Sequence, residues 1–242
     1  RLLITHWHGD HVLGIPGILQ TLALNNYSRT IFVYGPKGTK KFMEELYKIF
    51  VPIKKLKIEV YEVSGKFLET SDFIINAIPL DHDGPCNGYE FIEKDKLRID
   101  KEKLKKLKIP SSPEIGKLAE GKNIKINGKE IKFKELTYKQ KGRKISFIFD
   151  TRLCKGAKEL AKNSDLAIIE STYLDSEKEL AKEYGHMTAF QAAEIAKSGK
   201  VKELVLTHIS QRYEYKEKEI LKEALEVFKN TKIAEDFMKI EI

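Results

Sequence analysis

The sequence predicts an α/β fold in which two mixed β-sheets lie between layers of helices, with a basic arm projecting from the domain. Three observations carry that prediction. Strand-like apolar runs follow one another through the first half of the chain, whereas strand and helix alternate through the second. Four of the apolar strands stop on a potential metal ligand. Between Glu93 and Lys144, 18 Lys or Arg stand against 8 Asp or Glu, while the rest of the chain carries 26 against 28. All of the net charge of +8 therefore originates in one segment.

Residues 2–4 form an apolar strand leading into His6, Trp7, His8, Gly9, Asp10 and His11. Side chains two apart on an extended chain point the same way, so His6 and His8 reach toward one point. A helix turning from Gly9 brings Asp10 and His11 toward a second. Residues 12–24 are apolar and helix-length, with an irregular start at Gly14, Pro16 and Gly17. Residues 30–35 are a buried strand. From Pro36 to Phe50 the positions Phe42, Met43, Leu46 and Phe50 have the spacing of a surface helix. Residues 56–63 and 73–80 alternate as strands, the second running into DHDGP, and 87–93 form another.

The basic segment follows. RIDKEKLKKLKI holds a short helix capped by Asp100, and PSSPEIG then breaks the pattern. In NIKINGKEIKF the Asn127-Gly128 pair is a favoured hairpin turn. Few apolar residues remain for a core of its own, so residues 93–144 read as an arm inserted between 1–92 and 145–242. After it come the strand KISFIFD, a helix over 155–163, the strand DLAIIES and a helix over 176–184. A further helix opens after Thr188, whose hydroxyl suits an N-cap. Residues 201–208 are a strand, 216–228 a helix and 232–242 a final strand.

The 242 residues, 41% apolar and 33% charged, give ample material for a buried core. No apolar run is long enough to cross a bilayer and no signal-peptide pattern is present, so no membrane partner is expected. Cys86 and Cys154 lie far apart without a Cys-x-x-Cys, which argues against a disulfide framework or a cysteine zinc knuckle. They read as bystander thiols of a cytoplasmic protein. The chain opens on Arg1 inside a strand and reads as N-terminally incomplete. The lysine runs at 101–108 and 139–144 would ordinarily be a solvated face, but their local excess of charge suits a polyanion.

Turns favour Asn, Asp, Gly and Ser and have no use for three histidines within six positions. Three imidazoles with a carboxylate suit zinc or a similar transition metal. The four strand ends are LLITH at His6, INAIPLDH at His82, ISFIFD at Asp150 and LVLTH at His208; a fifth strand, LAIIE, stops at Glu170. Taken singly, Asp150 reads as a turn residue, His82 as a loop histidine and His208 as a core histidine. Together they meet the need of a dinuclear site for ligands from distant strands. A carboxylate holding a histidine in its proton-donating form makes Glu170 and His186 a candidate acid–base pair. Trp7 reads as packing, as do Tyr213 and Tyr215.

His6-Trp7-His8-Gly9-Asp10-His11 matches the His-x-His-x-Asp-His signature of the metallo-β-lactamase superfamily, and the order His82, Asp150, His208 matches its remaining ligands. Within that superfamily the chain closely resembles the ribonuclease Z family, through THWHGDHVLGIPGIL, DHDGPCNGYEF, RIDKEKLKKLKIPSSPEIGKLAEG, GRKISFIFDTR, IIESTY, HMT and LTHISQRY. The resemblance implies a metallo-β-lactamase αββα sandwich and cleavage at the 3′ end of precursor tRNA. It implies two zinc ions, one held by His6, His8 and His82, the other by Asp10, His11 and His208, with Asp150 bridging. Manganese or iron would accept the same donors. Asp10 would orient the attacking water and accept its proton, and His186, held by Glu170, would protonate the departing oxygen. The arm would bind precursor tRNA, and the protein would be a homodimer.

The chain departs from the family where Ile169 replaces a motif histidine, Met187 a serine, and Ser112-Pro113 a Gly-Pro in the arm. The family's opening strands and glycine-rich loop would precede Arg1. Two other readings compete: a glyoxalase II-like or other small-molecule metallohydrolase on the same site, and a non-catalytic RNA-binding subunit.

Overall fold

The structure, a computed structural model, describes residues 1–49, 56–110, 112–126 and 128–242. Phe50 and Asn127, expected in a helix and a hairpin turn, lie outside the described residues. Two compact units are present: residues 1–70, 74–91 and 144–242 form the first, and residues 71–73 and 92–143 the second. The strands in chain order are β1 (Leu2–Leu3), β2 (Ile31–Gly35), β3 (Ile58–Glu62), β4 (Gly65–Glu69), β5 (Phe73–His82), β6 (Gly84–Glu93), β7 (Lys96–Ile99), β8 (Ile124–Ile126), β9 (Lys129–Ile131), β10 (Thr137–Gln140), β11 (Lys144–Ile148), β12 (Leu166–Glu170), β13 (Glu203–Thr207) and β14 (Thr231–Ile233).

In the first unit a seven-stranded sheet has the order β14-β13-β12-β11-β6-β5-β4, and a three-stranded sheet the order β1-β2-β3. The larger sheet is mixed, with β11 to β14 parallel and β4 antiparallel to β5. The smaller departs from the expected mixed pairing, being parallel at both of its described ladders. Strands β11 to β13 read as continuous apolar runs because helices cover their face. Ala157, Leu160, Ala192, Ala193, Ile195, Ile220 and Ala224 pack on Ile148, Ile169, Leu204 and Leu206. The helix Ala189–Ser198 starts on a capping box between Thr188 and Gln191, which satisfies two otherwise orphaned amides and fixes the chain just after His186.

On the smaller sheet, Leu19 and Met43 from the helices Ile15–Leu24 and Thr39–Ile49 pack with Ile4, Ile31 and Val33. The two sheets are tied where the Tyr89 hydroxyl of β6 donates to the Ile4 carbonyl at 2.6 Å and Asn87 N donates to Thr5 O at 2.9 Å. Those bonds anchor the stretch immediately before His6.

The second unit corrects the expectation that the basic segment lacks a core. Ile115, Leu118, Ile124 and Leu136 are buried there, with Ile99, Leu104, Ile109, Ile126, Ile131 and Phe133 packed around them. Each short element contributes one or two apolar side chains between lysines, so no single window of sequence looks apolar. β7 pairs antiparallel with β10, and β8 with β9. The helix Lys101–Lys106 is capped as expected, with Asp100 Oδ1 accepting from Lys103 N at 3.1 Å. Strands β4, β7 and β10 were not foreseen, and the final strand ends at Ile233 rather than running to the end of the chain. No helix among the described residues is long and apolar enough to cross a membrane.

Candidate metal centre

Strand ends deliver most of the site. His6 follows β1, whose direction is continued by Ile4 N donating to Tyr34 O at 2.8 Å. The one-turn helix Gly9–Val12 carries Asp10 and His11. His82 and Glu170 are the last residues of β5 and β12. Asp150 lies just beyond β11 and His208 immediately beyond β13, at φ of 40° and 55°. Left-handed backbone costs a residue with a Cβ about 1–2 kcal/mol.

Three groups result. Glu170, His186 and His208 form one, His6, His8 and His82 a second, and Asp10, His11, Asp150 and His208 a third, with one donor atom per residue within 4.8 Å of the rest of its group. Asp150 Oδ2 reaches the second and the third, standing 3.2 Å from His11 Nε2, 3.3 Å from His208 Nε2, 3.5 Å from His6 Nε2 and 4.0 Å from His82 Nε2. His6, His82 and Asp150 are buried, whereas the Asp10 side chain is 67% exposed, so the cluster opens to solvent on the Asp10 side.

Burial pulls His6 down to about 4, overcoming the attraction of Asp150 with help from the neighbouring imidazoles. Burial also lowers His82, against its bond to Gly185 and the charge of Asp150. The close Asp150 carboxylate raises His11 despite that residue's burial. Burial alone would raise Asp150, but His11, His208 and His6 outweigh it and hold the carboxyl at about 2. Neutral imidazoles around an ionised carboxylate are the forms that bind metal. Among the described buried side-chain atoms without a hydrogen-bond partner are His6 Nε2, His11 Nε2 and Asp150 Oδ1. His11 Nε2 lies 3.2 Å from Asp150 Oδ2. Three orphaned donor-type atoms in one cluster are rare in a folded interior, and a cation satisfies all of them.

Outer contacts set the rings. His82 Nδ1 donates to the Gly185 carbonyl at 2.9 Å, turning Nε2 toward the cluster. Gly185 sits at φ +79°, and a Cβ there would fall 2.7 Å from His82 Nδ1. Arg152 ties the same region together, bonding Asp83 Oδ1 at 3.0 Å and Lys182 O at 2.7 Å. Beside the cluster, His186 Nδ1 lies 3.1 Å from Glu170 Oε1. Burial lowers His186, but the Glu170 carboxylate outweighs it and leaves the imidazole raised.

The structure thus brings together all nine residues singled out in the sequence. It adds Gly185 and Arg152, whose roles depend on distant partners, and sets Thr172, which the family resemblance matches to a motif position, between Glu170 Oε2 at 2.7 Å and His208 Nδ1 at 3.0 Å. Trp7 packs, stacking on Phe42 and donating to Thr39 Oγ1 at 3.0 Å. Tyr213 is buried, but Tyr215 is exposed and does not pack. Cys86 is buried, and Cys154 caps the helix Lys155–Ala161.

A β-lactamase superfamily domain matches residues 128–209. A ribonuclease Z of Nanoarchaeum equitans is 38% identical over 213 residues, spanning 88% of this chain and 67% of that protein. A ribonuclease Z of Bacillus cereus is 37% identical over 244 residues, spanning 98% of this chain and 79% of that protein. Among solved structures, the short form of human tRNase Z aligns with a TM-score of 0.67 at 27% identity, covering 99% of this chain and 78% of that one.

Proposed function

The chain belongs to the ribonuclease Z family, and from that membership we propose the chemistry its residues perform. It is a metal-dependent endoribonuclease that hydrolyses the phosphodiester at the 3′ end of precursor tRNA and releases the 3′ trailer. The observation that carries the site assignment is the position of Asp150 Oδ2 within 4.0 Å of nitrogens from both ligand groups.

His6, His8 and His82 would hold one zinc ion and Asp10, His11 and His208 the other, with Asp150 shared between them. Bound there, the ions would lower the pKa of water toward neutrality and neutralise charge on the phosphoryl oxygens. Asp10 accepts the proton of the attacking water; its carboxylate is exposed to solvent and stands 3.6 Å from His208 Nε2. His186 gives a proton to the departing 3′ oxygen, and Glu170 sustains the charge of its ring. The tRNA product then carries a 3′-hydroxyl.

Residues 93–144 form the tRNA-binding insertion, and 1–92 with 145–242 the catalytic domain. Lysines of the insertion grip phosphates without reading bases, which suits recognition of RNA by its folded shape. A small-molecule hydrolase has no use for such a segment. A homodimer is supported by Leu13, Ile18 and Leu24, large apolar side chains left exposed on and beside the helix Ile15–Leu24. The substrate and the free thiols suit a cytoplasmic location.

The test incubates end-labelled precursor tRNA with metal-replete protein. Cleavage leaving a 3′-hydroxyl, lost with chelator and restored by zinc, is expected. Metal-replete protein that hydrolyses a small phosphodiester but leaves precursor tRNA intact overturns the reading.

A further inference from the structure

We propose that Thr172 is a positioning residue coupling the Glu170 carboxylate to His208, so that one buried carboxylate orders both the proton donor and a ligand of the metal site. The consequence for metal rests on the function proposed above. The coupling itself rests on hydrogen-bond geometry alone.

Proton count decides the direction of each bond. Glu170 is wholly buried. Its Oε1 accepts from Thr151 N at 2.6 Å and lies 3.1 Å from His186 Nδ1. Its Oε2 accepts from Met187 N at 3.1 Å and from Thr172 Oγ1 at 2.7 Å. Four donors fill the roughly four acceptor positions of an ionised carboxylate. Threonine has one hydroxyl proton, and it is given to Glu170. The same oxygen lies 3.0 Å from His208 Nδ1 and has only lone pairs left to offer. His208 must therefore carry its proton on Nδ1.

The other ring nitrogen, Nε2, faces Asp150 Oδ2 at 3.3 Å and Asp10 Oδ2 at 3.6 Å. With Nδ1 committed to the Thr172 hydroxyl, Nε2 is the ring atom left to meet a cation placed among those carboxylates. The hydroxyl is held across His208 by two main-chain bonds, Ser171 N to Thr207 O at 2.9 Å and Ser210 N to Thr172 O at 3.1 Å. His186 reaches Glu170 directly and does not use the hydroxyl. Replacing Thr172 with the isosteric valine thus cuts the link to His208 and leaves the Glu170–His186 contact in place.

Two measurements test the coupling. In metal-free protein labelled with 15N-imidazole, NMR reports the tautomer of each histidine. Wild type and Thr172→Ser should show His208 protonated on Nδ1, and Thr172→Val should show it moved to Nε2 or mixed, with His186 unchanged. In competition titrations with a chromophoric chelator, Thr172→Val should bind one of two zinc ions about 10- to 100-fold more weakly, with the other unaffected and Thr172→Ser close to wild type. An unchanged His208 tautomer in Thr172→Val, or an equal loss at both ions, overturns the coupling. Wild-type protein that takes up no zinc overturns the metal-site reading, and the tautomer measurement still decides the role of Thr172.

Discussion

His186 Nδ1 stands 3.1 Å from Glu170 Oε1, a carboxylate that is wholly buried and bonded on both oxygens. Substitution separates the two residues. His186→Ala removes the proposed proton donor alone, so kcat for precursor-tRNA cleavage should fall by about 10²- to 10⁴-fold while KM and bound metal stay near wild type. Glu170→Gln replaces an acceptor with an amide that turns donors toward Thr151 N or Met187 N. Stability should fall by about 1–3 kcal/mol in addition to the loss of kcat, measured by urea unfolding. A Glu170→Gln variant as stable as wild type would show that these amides do not depend on the carboxylate.

Acid should destabilise the metal-free protein through His6 before it reaches Asp150. His6 titrates at about 4 in the fold against the usual 6.5, because burial disfavours its charge. Between those values the unfolded chain binds more protons, so stability falls as pH falls. Asp150, held at about 2 against the usual 3.8, contributes stability that is present above 3.8 and lost as pH drops through 2. His82, also lowered by burial, acts in the same sense as His6, whereas His11 and His186, raised, contribute stability that is complete below 6.5 and is lost as pH rises through their folded values. The His6 contribution is isolated by His6→Gln. From pH 7 to 5 the urea midpoint of metal-free wild type should decline relative to that of the variant. Parallel declines would show that His6 is not held neutral by burial.

The clustered histidines and aspartates were legible because each has a chemical reason to stand where it does. Three imidazoles in six positions have no structural use, and apolar strands ending at Asp150 and His208 need a cause for stopping on those residue types. Thr172 was legible only as a position in a family motif, and neither its contact with His208 nor that of Gly185 with His82 could be read from the sequence. Their partners lie 36 and 103 residues away, and neither distance nor hydrogen-bond direction is written in the local pattern. The small core around Leu118 and Leu136 was hidden for a related reason, since its apolar side chains are dispersed among lysines on separate short elements. Periodicity reports a face only when one element supplies enough of it.

Gly185 offers a test of that invisible layer. Its φ of +79° disfavours any side chain, and a Cβ would press on His82 Nδ1 at 2.7 Å. Gly65, at φ +68° with no atom near its missing Cβ, carries the backbone penalty without the contact. Gly65→Ala should therefore cost about 1–2 kcal/mol and leave zinc affinity intact. Gly185→Ala should cost at least as much and also weaken the site built from His6, His8 and His82. Equal zinc affinity in the two variants would mean that His82 accommodates the methyl group without losing its orientation.

Lys101, Lys105 and Lys106 are exposed on the helix Lys101–Lys106, and among the described residues none forms an ion pair. Lys103, on the same helix, is engaged with Asp100 at 3.6 Å and is a weaker candidate for RNA. If the three unpaired lysines meet tRNA phosphates, each bound phosphate releases condensed counterions, and affinity falls linearly with the logarithm of salt. Replacing all three with alanine should lower the steepness of that line by roughly two to three. At low salt the variant should show a higher KM for precursor tRNA, whereas kcat and the hydrolysis of a small phosphodiester should not change. Stability should change little, because the core of this unit is built from Ile115, Leu118, Ile124 and Leu136 and not from these side chains. Binding measured by filter retention from low to physiological salt decides the matter. An unaltered slope would place the phosphate contacts elsewhere on the chain, whereas a lower affinity with the slope preserved would point to altered RNA fit rather than lost charge.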